Sequence, residues 1–158
     1  MHERHTFDII RRIKKSRGCH TNGGKALVAG RERLLSLLAV IFGGMYVNVG
    51  VQHFTNTAWF EPIVPAVLGD RTIWVLITGV MEIAIGVGLI LPWTRRYAAL
   101  SSLVFLIGIY WANLNMWVNN IPLDGRTYAH HWHVLRLVAQ LGMLCLSYAI
   151  WRWIEPAE

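Results

Sequence analysis

Four runs of apolar residues dominate the chain, at 34–51, 73–91, 97–118 and about 131–153, and short polar stretches separate them. Each is close to the roughly 20 residues that a helix needs to cross about 30 Å of hydrocarbon. The pattern predicts an all-α fold, an integral membrane four-helix transmembrane bundle over residues 34–154, behind a basic N-terminal segment over residues 1–33. Tryptophan supports these boundaries. Trp59, Trp74, Trp93, Trp117, Trp132, Trp151 and Trp153 stand at or beyond the ends of the runs, where indole rings collect at the interface, and Trp111 lies well inside. The connectors TNTAWFEPIVPAVLGDRT and NNIPLDGRTYAH are broken by Pro and Gly, so neither is expected to form a long regular element.

The second run carries one ionisable residue, Glu82, near its middle. An acidic residue at a helix centre costs roughly 2.5 to 3.5 kcal/mol on insertion scales, so it is expected to face a protein interior or a wet cavity and to find a partner there. Gly79, Glu82 and Gly86 fall on one helical face, and the two glycines let another helix come close beside the carboxyl.

Composition sharpens this picture. The chain is 54% hydrophobic and 15% charged, with a mean hydropathy of +0.39, which points to one small membrane domain in a lipid bilayer. Residues 1–33 hold nine Lys/Arg against Glu3, Asp8 and Glu32, and this excess is the whole net charge of +6. Basic character confined to a juxtamembrane tail serves orientation and anionic lipid, not nucleic acid. The tail and the Pro92-Trp93-Thr94-Arg95-Arg96 turn fall on one side and the balanced connectors on the other, which predicts cytoplasmic N- and C-termini in a multi-pass protein of the cell membrane.

Within the tail, residues 6–15 read either as a short helix lying on the membrane surface or as a disordered basic segment. The following SRGCHTNGGKALVAG reads as a linker. It fails as a phosphate-binding loop, because Cys19 stands at the first glycine position and Ala26 replaces the metal-binding Ser/Thr. No apolar signal segment precedes Leu34, so the tail is expected to be retained. Cys19 and Cys145 form no CxxC pair, which argues against thiol redox chemistry.

Helix counting at about 1.5 Å per residue places Glu82 and Gln140 at one depth, with Arg136 one turn further out. His53 ends the first run, and Asn113 and Asn115 lie in the outer third of the third. The two asparagines differ by about 200° around a helix, so only one faces the interior, and Asn113 is the preferred one. Two readings follow: hydrogen bonds that hold a bundle together at about 0.6 kcal/mol each, or an outward-facing polar pocket of His53, Asn113 and Gln140 above a coupled Glu82–Arg136 pair.

Several of these residues fall in motifs with a precedent. Gly50-Val51-Gln52-His53-Phe54, Phe60-Glu61-Pro62-Ile63-Val64-Pro65, Thr78-Gly79-Val80-Met81-Glu82, Leu91-Pro92-Trp93-Thr94-Arg95-Arg96, Ala112-Asn113-Leu114-Asn115-Met116 and Leu135-Arg136-Leu137-Val138-Ala139-Gln140 occur in this order. Together they resemble the DoxX-like family of small four-helix membrane proteins, over residues 34–154. Trp111 and Val138 replace prolines frequent in that family, which implies straighter third and fourth helices. The resemblance implies a bundle associated with quinol oxidase, thiosulfate oxidation or redox-stress complexes, and assigns neither a cofactor nor an activity.

His130, His131 and His133 offer a metal site, or haem b together with His53, against the simpler reading of headgroup-level histidines bonded to water. No nucleophile stands with a base and an orienting group. Two function classes remain. One is a non-catalytic accessory or assembly subunit of a quinone-linked respiratory or sulfur-oxidising complex, with other membrane subunits or further copies as partners. The other is a carrier or enzyme that binds a quinone, lipid or haem in the pocket around Glu82 and Arg136.

Overall fold

A computed structural model describes residues 3–123 and 125–154, with side chains from residue 24 onward. The chain divides into two compact units, one ending at Leu35 and the other beginning at Ser36. Among the described residues there are five α-helices: α1 (Glu3–Thr55), α2 (Thr57–Phe60), α3 (Arg71–Ile90), α4 (Arg95–Val118) and α5 (His130–Trp153). Short 3-10 turns at Glu61–Ile63 and Ala66–Leu68 complete the α2–α3 connector.

The expected linker at 16–30 is instead part of α1. The first proline of the chain is Pro62, so no residue before it lacks the amide that a helix uses, and the glycines there do not end the helix. The side chains of residues 6–15 lie outside the described residues, and with them the amphipathic face expected of that segment.

Among the described residues four helical stretches are long and apolar enough to cross a membrane: Gly24–Thr55, Arg71–Ile90, Arg95–Val118 and His130–Trp153. They make the chain a multi-pass membrane protein. Large apolar side chains such as Ile41, Val80, Val104 and Val138 stand exposed on all four helices, as hydrocarbon solvent permits.

Local chemistry sets the ends of α3. Asp70 caps its first turn, accepting from the Thr72 and Ile73 amides at 2.9 and 3.3 Å. At the other end Arg95, buried despite its charge, donates Nε to the Leu89 carbonyl and Nη2 to that of Ile90, both at 2.8 Å. Thr94 Oγ1 donates to Gly88 O at 2.8 Å. These bonds satisfy carbonyls that the helix leaves open, and the guanidinium sits at the negative end of its dipole.

Within the second unit α3 packs on α4 and α4 on α5, while α3 and α5 make no comparable contact. The membrane-crossing part of α1 meets α3 through glycines. A Cβ added to Gly86 would lie 2.6 Å from Gly43 O, and one added to Gly50 would lie 2.8 Å from Gly79 O. The reversed order of the two pairs makes the helices antiparallel, with backbones in direct contact. Beside this contact α1 also reaches α4. Tyr46 packs its ring against Phe105 with centroids 6.2 Å apart, and its hydroxyl pairs with Ser102 Oγ at 2.9 Å. Ser102 continues to Ser147 Oγ on α5, also at 2.9 Å, so one buried chain of hydroxyls ties three helices together.

Candidate functional site

Glu82 is buried on α3, and the group it meets is His53, not Arg136: Oε2 lies 3.2 Å from His53 Nδ1. The cause is the direction in which helical side chains lean. Cα–Cβ bonds tilt toward the helix N-terminus, so on antiparallel helices His53 leans back along α1 and Glu82 leans back along α3 until they converge. Gly79 makes room, since a Cβ there would lie 2.7 Å from His53 Cβ. Arg136 sits on α5, which does not pack against α3, and it leans further toward its own N-terminus.

Three contacts hold the imidazole. Nδ1 lies 2.9 Å from the Val49 carbonyl, and the ring stacks on Phe60 at 4.0 Å between centroids with 19° between planes. The third is Glu82. Nδ1 carries at most one hydrogen, and in the tautomer that places it there the Val49 carbonyl, as the nearer acceptor, takes it. Glu82 Oε2 is then buried without a hydrogen-bond partner.

The connector that brings Phe60 is itself tied down. Thr72 Oγ1 donates to Glu61 Oε1 at 2.6 Å, Trp74 Nε1 donates to Leu68 O at 2.8 Å, and Asn115 Nδ2 donates to Ile63 O at 3.0 Å. Asn115 was not the asparagine expected to matter. It faces this connector, whereas Asn113, about 200° away around α4, lines a cleft with Tyr110, Trp117, His133, Arg136 and Leu137. The cleft has a volume of about 10 Å³, at most the room of one water molecule. Arg136 Nη1 there donates to the buried sulfur of Met116. Gln140 belongs to neither group, because its Nε2 donates to the Leu106 carbonyl on α4 at 2.7 Å.

The five candidate residues therefore do not share one pocket. His53 with Glu82 forms one centre, Asn113 with Arg136 a second, and Gln140 a helix-to-helix tie. Of the histidine trio, His130 and His133 share one indole and His131 stands apart. His130 Nδ1 accepts from Trp117 Nε1 at 3.1 Å, His133 stacks on the same indole at 5.8 Å between centroids, and His131 lies beside Trp132. Among the described residues no three His, Cys, Asp or Glu side chains gather to hold a metal ion. Sequence reading passed over Tyr46, Ser102, Ser147 and Arg95. The hydroxyls gave no signal inside apolar runs, and Arg95 looked like a surface charge.

Residues 42–151 match the family described as Domain of unknown function (DUF8561). The chain belongs to this family. The matched stretch of the DUF8561 domain contains His53, Glu82, Asn113, Arg136 and Gln140, together with the glycine contact and the hydroxyl chain. No curated protein and no solved structure matches the chain.

Proposed function

We propose that this DUF8561 protein is a non-catalytic accessory or assembly subunit of a membrane complex, acting in the cell membrane by helix association with other subunits or with further copies of itself. A link to quinone-dependent respiration or sulfur oxidation rests on the resemblance of its motifs to DoxX-like proteins. The observation that carries the non-catalytic reading is a volume: the cleft at Asn113 and Arg136 measures about 10 Å³, against the roughly 300 to 1,000 Å³ of a ligand pocket. Gln140 is spent on a backbone carbonyl and Arg136 on Met116, which is what a scaffold requires. In this reading both termini are cytoplasmic.

The test is purification of the protein from native membranes in mild detergent, with mass spectrometry of the co-purifying chains and an absorption spectrum. Stoichiometric membrane subunits are expected. A protein that runs as a lone monomer, or one that carries a haem or quinone absorption band of its own, overturns the reading. The second outcome favours the alternative, a small-molecule carrier or enzyme, which draws on the unpartnered oxygen of Glu82.

A further inference from the structure

The least satisfied group among the described residues is Glu82 Oε2, and what surrounds it limits what it can bind. Glu82 is 7% exposed, and the atom has no hydrogen-bond donor. Its neighbours are the glycine contact of α1 and α3, where backbones already touch, and His53, on whose ring face Phe60 stacks. A quinone, a headgroup or a hydrated cation requires space that such a contact lacks. A proton requires none. An ionised carboxylate here, in a helix that crosses hydrocarbon, would leave one oxygen without water or a donor, and protonation removes that charge.

We propose that Glu82 and His53 form a proton-binding site inside the bundle, with the Glu82 carboxyl held as the neutral acid and His53 Nδ1 as the group that exchanges its proton. The step balances within the pair. When the imidazole carries its hydrogen on Nε2, the carboxyl O–H donates to Nδ1 across the observed 3.2 Å. Transfer of that proton leaves a carboxylate beside an imidazolium whose Nδ1–H points between Oε2 and Val49 O. Return of the proton restores the neutral pair; loss of the Nε2 proton leaves a carboxylate beside a neutral imidazole, and uptake of a proton at Nε2 followed by return of the Nδ1 proton to the carboxylate completes an exchange. Tyr46, on the same face of α1, is the other titratable group within electrostatic reach, with its hydroxyl held by Ser102. From α4 that face presents Ser102 and Phe105, and from the connector Phe60, none of them charged.

Dicyclohexylcarbodiimide is the probe, because it partitions into hydrocarbon, adds to a carboxyl only when that carboxyl is protonated, and, unlike a resident ligand, needs only a transient separation of the helices to react. The carboxyl proton goes to one carbodiimide nitrogen and the carboxyl oxygen to the central carbon, and migration of the acyl group to nitrogen gives a stable adduct with nothing lost. In full-length protein reconstituted into phosphatidylcholine vesicles, one adduct is expected at Glu82 at neutral pH and none in Glu82→Gln, and a water-soluble carbodiimide should leave Glu82 unmodified. His53→Phe should move the pH midpoint of labelling by about one unit, a tenfold change in proton affinity. Infrared spectroscopy supplies a readout independent of reagent access: a protonated-carboxyl C=O band that shifts in heavy water and is lost in Glu82→Gln. Absence of both adduct and band in the folded wild type overturns the proposal. A labelling midpoint unmoved in folded His53→Phe overturns the role of His53.

Discussion

At Glu82 one carboxyl has two candidate partners, and the pairing it makes leaves a measurable coupling. His53→Leu and Glu82→Gln should be non-additive by about 0.5 to 3 kcal/mol, the range for groups in contact. Glu82→Gln with Arg136→Met should add to within about 0.5 kcal/mol, since the residues share no partner. Detergent unfolding of the three single and two double variants measures both cycles, and strong coupling between Glu82 and Arg136 would contradict the arrangement described. Sequence made Glu82 legible because it is the one ionisable residue in its run. Its partner was not legible, because counting residues measures depth at the backbone while the side chains lean in opposite directions along antiparallel helices. The same counting correctly separated Asn113 from Asn115, where angle and not lean decides.

Among the helices, the α1–α3 contact sets the most demanding requirement on sequence. Backbones that touch at Gly43–Gly86 and Gly50–Gly79 leave no volume for a side chain, so Gly50→Ala and Gly86→Ala should each lose about 1 to 3 kcal/mol through overpacking. Gly44, Gly108 and Gly142 lie in helices with open space where a Cβ would go, and alanine there should be neutral or stabilise by about 0.5 to 1 kcal/mol. Melting temperatures of these variants in one detergent distinguish the classes, and equal losses across all five would show that helix propensity, not the contact, is being read. Gly79 and Gly86 could be picked out from their place beside Glu82. Their partners could not, because a glycine in an apolar run looks the same whether it faces a helix or lipid. The 16–30 segment misled for a related reason: glycines mark a linker when proline accompanies them, and here none does.

For the molecule as a whole, the four spans were legible because length and hydropathy are properties of a run and not of a contact. Orientation rests on charge, and the structure changes how that charge is weighed. Arg95 is withdrawn into the end of α3, where it serves the Leu89 and Ile90 carbonyls, so Arg96 carries the positive signal of that turn. Arg95 is therefore a poor place for a topology probe, since replacing it uncaps a helix. Trp93, 61% exposed in the same turn, is a better one, and Thr127, exposed between α4 and α5, is its counterpart at the opposite end of the bundle. In a background with Cys19 and Cys145 replaced by alanine, an impermeant maleimide applied to intact cells should modify Thr127→Cys and spare Trp93→Cys until the membrane is opened. The reverse pattern would place the basic tail outside, and a chain of this charge distribution would then be oriented by its partners rather than by its own arginines and lysines.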